Sequence, residues 1–228
     1  MKRKLLSSQD DNLLSLTSTD PEVESSVSEP SVVEFSPKIS VAVDSKLSNL
    51  SDQKCSFTWP SAISLSRYFC SHPEVVSGKR ILELGCGTGV PSIVALKLGA
   101  KKVILTDTET SFAARTIQLN DLISSENVKF LNYNWGSISP LLHDVGSIDL
   151  IIASDCFYES YQFELLIKTV AYLIKLNEGA SFVFSYPLRD ALKSLRWILK
   201  EYNLHGFLIL KDQVESSEIL LCCIRRLK

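Results

Sequence analysis

The stretch Arg80-Ile81-Leu82-Glu83-Leu84-Gly85-Cys86-Gly87-Thr88-Gly89-Val90-Pro91 restricts the fold more than any other part of the chain. Ile81, Leu82 and Leu84 form a short apolar run of the kind that parallel sheets bury on both faces. Three glycines at alternate positions then let the backbone fold tightly beneath a ligand, and Pro91 suits the first turn of a helix. A strand, a glycine turn and a helix in this order open an α/β nucleotide-binding unit, although an ordinary strand-to-helix connection carries the same pattern when it stands alone. The third glycine of a G-x-G-x-x-G fingerprint is missing, and no Gly-Lys-Ser/Thr follows, so neither the dinucleotide motif nor the phosphate loop is present. Glu83 beside the glycines points the same way, because a carboxylate there repels a pyrophosphate and meets a cation instead.

Lys102-Val103-Ile104-Leu105-Thr106-Asp107 supplies the context. This second apolar run ends in an acid about twenty residues after the glycines, where a doubly wound sheet places a carboxylate on the ribose hydroxyls of its nucleotide. E-L-G-C-G-T-G followed by L-T-D resembles motif I and the acidic motif of class I S-adenosylmethionine-dependent methyltransferases. The resemblance implies that Asp107 holds the ribose and that Gly85, Cys86 and Gly87 pass under the methionine part. It leaves Glu83 as a polar neighbour of the turn.

Further runs follow in the order that this fold requires. Trp59-Pro60-Ser61-Ala62 opens a helix with Ala62, Leu65, Tyr68 and Phe69 on one face. A helix is expected over 109–122 and a strand over 128–131, with Asn132-Tyr133-Asn134-Trp135-Gly136 at its carboxyl end. Residues 148–153 form another buried strand that delivers Ser154-Asp155-Cys156-Phe157-Tyr158-Glu159 to the same edge, outside which open α/β sheets bind their ligands. An amphipathic helix over 162–175, a strand over 180–186, a helix over about 190–202 and two final strands joined by a polar turn complete the pattern. Tyr186 and Arg189, at the end of the strand over 180–186, are candidate substrate contacts.

W-P-S-A, N-W-G and D-C-F-Y resemble the W-x-x-A entry, the Trp after the third strand and the D-x-x-Y motif of methyltransferase family 16, whose best-known members methylate protein side chains. The combination, with S-Y-x-x-R later, is most similar to the branch of methyltransferase-like protein 23, associated with histone arginine methylation. The resemblance implies a Rossmann-like, seven-stranded, mostly parallel sheet with an antiparallel C-terminal strand. It places Trp59 at the border of the cofactor pocket and Ser154 at its edge, where lysine-methylating members commonly carry Ala. It also makes Trp135 the candidate cover for the adenine; from the residues alone, core packing is as good a reading of that side chain. Asp155, with Tyr158 and Glu159 beside it, becomes the candidate grip on an incoming nitrogen. The expected activity is methyl transfer from S-adenosylmethionine to an arginine, histone included, or a lysine of a protein. Methylation of a small metabolite and a non-catalytic cofactor-binding module are the alternatives.

Composition narrows the remainder. With 24 Lys and Arg against 26 Asp and Glu the net charge is -2, which gives no global basic surface for nonspecific nucleic-acid binding. Six cysteines without C-x-x-C pairs and three scattered histidines lack metal-ligand spacing, so no metal is expected and the thiols read as free in a reducing compartment. No apolar run reaches the roughly 18 residues of a membrane span, and no signal-peptide core is seen. The expected location is cytoplasmic, nuclear or both. Residues 1–54 are expected to be a Ser-rich tail, disordered at first, with Ile39–Val43 as one strand of a hairpin; residues 55–228 are expected to form the methyltransferase domain.

Overall fold

Apolar runs that alternate with helices can bury both of their faces only in a sheet covered by helices on each side. The computed structural model, which describes residues 30–44, 57–123, 126–137, 142, 145–188 and 192–226, has that arrangement. Parallel strands β3 (Arg80–Leu84), β4 (Lys102–Asp107), β5 (Val128–Asn132), β6 (Leu150–Ser154) and β7 (Ser181–Pro187) are joined by the antiparallel pair β8 (Leu204–Val214) and β9 (Ser217–Arg226). The sheet order is β5-β4-β3-β6-β7-β9-β8, so the last strand inserts antiparallel between β7 and β8.

Alternation within each strand divides the core into two layers. Leu82 and Leu84 of β3 face α4 (Ser160–Leu176) and α5 (Leu192–Glu201), where Phe163, Leu166, Ile167, Val170, Leu195 and Leu199 pack with them. Ile81 faces α1 (Pro60–Ser71), α2 (Val90–Lys97) and α3 (Ser111–Leu119), with Leu65, Phe69, Ile93, Val94 and Ile117 around it. Each such side chain contributes about 1.5–3 kcal/mol on burial, which makes these layers the dominant favourable term in the fold.

Ahead of the domain, β1 (Ser31–Ser36) and β2 (Ile39–Val43) form an antiparallel hairpin, and Val41 and Val43 enter the α1–α3 layer. Asn120, just after α3, fastens it: its amide donates to the Ala42 carbonyl at 2.9 Å, while Oδ1 accepts from the Ala42 amide at 3.1 Å and from Lys97 Nζ at 3.0 Å. The side chain thus pairs with β2 much as a neighbouring strand would.

The chain changes direction across the sheet between β3 and β6, because β4 and β5 extend to one side and β6 and β7 to the other. Such a reversal opens a crevice at the carboxyl ends of the two strands. At their other ends Arg80 and Asp149 form a two-pronged ion pair, with Nε on Oδ2 at 2.9 Å and Nη2 on Oδ1 at 2.7 Å. These bonds hold the Asp149 carboxyl down to about 2 and align the strands that carry the crevice.

Candidate active site

The backbone after β3 sets the floor of the crevice. Gly85 has φ +65°, and a Cβ there would lie 2.7 Å from Cys156 Sγ and 2.9 Å from Trp135 Cζ2. No larger residue fits that conformation and that space together. Beyond it, the Cys86 amide donates to the Thr106 carbonyl at 2.9 Å, and the Gly87 amide donates to Asp107 Oδ2 at 2.9 Å. Asp107 Oδ1 accepts from the Thr108 amide at 2.7 Å. Thr108 Oγ1 donates to the same oxygen at 3.2 Å, so the acid at the end of β4 fixes the glycine turn and the start of the next loop together.

Trp135 reaches Gly85 because the next residue is also a glycine. At Gly136, with φ +80°, a Cβ would lie 2.6 Å from Leu165 Cδ2, and its amide donates to Thr169 Oγ1 at 2.8 Å. The turn after β5 thus seats directly on α4, leaving the indole over the crevice. Tyr133 secures the same turn, donating from its hydroxyl to the Ser137 carbonyl at 2.6 Å.

On the opposite wall Asp155 follows β6 in the left-handed region at φ +54°, with its amide on the Ser185 carbonyl at 2.9 Å. Aspartate and asparagine tolerate this conformation better than other side chains, and such residues cluster at functional sites. Cys156 donates to the Leu84 carbonyl at 3.2 Å and joins the ends of β6 and β3. Complete burial pushes its thiol well above the ordinary range, so it is a packing group and not a nucleophile.

These walls enclose a cavity of about 310 Å³ lined by Trp59, Gly85, Gly87, Asp107, Trp135, Ser154, Asp155, Cys156, Tyr158 and Glu159. Trp59 and Tyr158, 40% and 41% exposed, stand at its mouth. A second cavity of about 230 Å³ shares Asp107, Trp135 and Tyr158 and extends towards Thr108, Asn134, Gln162 and Leu165. The charged side chains described around both are carboxylates only.

Three of the sequence candidates lie elsewhere. Cys86 is buried and contributes its backbone to the turn, but it is not among the lining residues. Glu83 lies wholly inside the α1–α3 layer, accepting from Ser92 Oγ on α2 at 2.5 Å, and burial above all raises its carboxyl to about 8. A neutral acid neither repels a pyrophosphate nor meets a cation, so Glu83, contrary to the expectation from the sequence, does not bias the crevice by its charge. Tyr186 is also displaced from its expected place at the active edge. Its ring is buried against Phe157 and Phe184, and it lines a separate apolar cavity beside α5. Arg189 lies outside the described residues. The sequence reading missed Thr108, Gln162 and Thr169. Gln162, Leu165 and Thr169 share an i, i+3, i+7 stripe on α4, and two polar residues on a stripe facing the Trp135 turn were the available signal.

The residues fit a sulfonium-bearing nucleoside. Gly85 leaves room that a side chain would fill, Asp107 offers paired acceptors to a vicinal diol, and the carboxylate lining suits a cation while disfavouring a pyrophosphate. The strand order and the glycine turn facing a strand-end acid define the class I, S-adenosylmethionine-dependent methyltransferase fold. A ribosomal protein L11 methylase from Lactobacillus delbrueckii subsp. bulgaricus shares it, with a TM-score of 0.56 at 20% identity over 86% of this chain and 99% of that one.

Within that class, the chain belongs to methyltransferase family 16, described as lysine methyltransferase, whose family model matches residues 45–196. It is 35% identical over 153 residues to the histone-arginine methyltransferase METTL23 of Xenopus laevis, covering 65% of this chain and 64% of that protein. It is 37% identical over 136 residues to the protein N-terminal and lysine N-methyltransferase EFM7 of Candida glabrata, covering 56% of this chain and 53% of that protein. The chain therefore spans less than two thirds of the length of these relatives.

Proposed function

We propose that the chain is an S-adenosylmethionine-dependent protein methyltransferase whose acceptor is an arginine nitrogen of a basic protein, histones included. The observation that carries this reading is the lining of the crevice: Asp155 and Glu159 stand on the wall that follows β6, facing the Gly85 turn and Asp107, with no described basic side chain among them. A low-dielectric cleft of one sign concentrates ligands of the other, and here both the donor sulfonium and the acceptor side chain are cations. Family membership supports methyl transfer. The names of the relatives divide between arginine and lysine, and the pair of carboxylates favours the planar, multiply donating guanidinium.

Bound, S-adenosylmethionine supplies a methyl group made electrophilic by its sulfonium. Asp107 would accept hydrogen bonds from the ribose hydroxyls, the Gly85–Gly87 backbone would pass under the methionine part, and Trp135 would cover the adenine. Asp155 and Glu159 would hold the guanidinium so that its nitrogen lies in line with the methyl, at the roughly 3 Å separation that in-line displacement requires. On transfer the S–C bond would break as the N–C bond forms, its electron pair staying on sulfur, and Asp155 would take the proton that the nitrogen releases.

Incubation with methyl-labelled S-adenosylmethionine and a cell lysate supplemented with histones tests the reading. The expected result is label in protein, recovered as methylarginine after hydrolysis. Recovery as methyllysine would reassign the acceptor. Label confined to small molecules would transfer the activity to a metabolite, and absence of label despite cofactor binding would leave a non-catalytic module.

A further inference from the structure

Gln162 occupies the first turn of α4 and lines the second cavity together with Thr108, Asn134 and Trp135. Its Nε2 donates to the Tyr161 hydroxyl at 3.2 Å, which turns Oε1 the other way. Oε1 is buried and accepts no hydrogen bond from any described residue. A buried amide oxygen without a donor is costly, and native structures keep such atoms chiefly where something else supplies the bond. The other polar groups of this wall are differently placed. The Tyr133 hydroxyl is committed to the Ser137 carbonyl, the Thr108 hydroxyl donates to Asp107, and Asn134 is exposed.

The two cavities meet at Asp107. With the ribose held there, as the proposed function requires, the methionine part lies over the glycine turn in the first cavity and the base enters the second. Adenine presents one exocyclic amino group, a donor with no acceptor role, and it needs a buried acceptor. We infer that Gln162 is the residue that reads this amino group, accepting its N–H at Oε1 and so selecting an adenine nucleoside. Gln162 is thus a specificity-determining residue supplied by α4, on the far side of the base from the β4 and β5 strand ends.

The inference rests on the proposed cofactor, and one titration series separates the two. The affinities of S-adenosylhomocysteine and of its deaminated form, in which a carbonyl replaces the amino group, are measured for the wild type, Gln162→Leu and Gln162→Glu. The wild type is expected to prefer the amino form by roughly 10- to 100-fold, the range for one buried hydrogen bond together with the mismatch of two facing acceptors. Gln162→Leu is expected to lose about tenfold for the amino form and nothing for the deaminated form, which doubles as the control for folding. Gln162→Glu keeps an acceptor at this place and is expected to retain the preference. An unchanged preference in Gln162→Leu, or a lost one in Gln162→Glu, overturns the role of Gln162 while leaving the cofactor in place. A wild type that binds neither ligand overturns the cofactor reading as well.

Discussion

Glu83 makes the stability of the protein depend on pH in a direction opposite to that of most carboxylates. In the unfolded chain its carboxyl titrates at the ordinary 4.5, and in the fold, where it is wholly buried, at about 8. A folded-state value above the unfolded one means that the native protein binds the extra proton between those limits. The stability that Glu83 allows is therefore complete below 4.5 and declines as pH rises through 8. Within that window the slope approaches about 1.4 kcal/mol per pH unit, so moving from about pH 5.5 to about pH 7 costs roughly 2 kcal/mol. Glu83→Gln keeps the shape and an acceptor for Ser92 but cannot ionise. The variant should gain roughly 2 kcal/mol on the wild type over that interval, or about 4–8 °C in Tm for a domain of this size. Urea titrations of both proteins at the two pH values measure the difference. A gap that stays constant with pH, or narrows as pH rises, would refute a neutral buried acid at this position.

Two further outcomes follow from packing. Gly85→Ala forces a Cβ into the space held by Cys156 and Trp135 and adds about 1–2 kcal/mol for the left-handed backbone; lower stability together with lost S-adenosylhomocysteine binding is expected by thermal shift and calorimetry. Asn120→Ala removes both bonds to Ala42 and should destabilise the hairpin by about 1–3 kcal/mol. Limited proteolysis between residues 31 and 43 should then accelerate, while cofactor affinity changes little.

The parts of the site that were legible in the sequence are those whose demands are local. A glycine forced into positive φ and an acid at a strand end leave their mark in the order of residues, so Gly85 and Asp107 were readable, as was the place of Asp155 after β6. What went unread depended on which face a side chain takes. Glu83 shares the face of Ile81, and because helices cover both sides of the sheet an acid inside β3 has no solvent to turn towards. Phe182, Phe184 and Tyr186 alternate onto the α4 and α5 layer, so the position of Tyr186 at a strand end did not place its ring in the crevice. Gln162 and Thr169 show a shared stripe on α4 in the sequence, but that this stripe seats the Trp135 turn is a contact between segments distant in sequence.

Under the proposed function the work divides across one crevice, Asp107 holding the donor and Asp155 the acceptor. Asparagine at either position keeps the size of the side chain, and at Asp155 it also tolerates the left-handed backbone. The most direct test measures S-adenosylhomocysteine affinity and methyl transfer to protein for Asp107→Asn and Asp155→Asn beside the wild type. Asp107→Asn is expected to lose both, while Asp155→Asn binds within about twofold of the wild type and transfers at least roughly 100-fold more slowly, the range for removal of a positioned acid or base. Asp155→Asn turning over at the wild-type rate, or Asp107→Asn binding as tightly as the wild type, would contradict it.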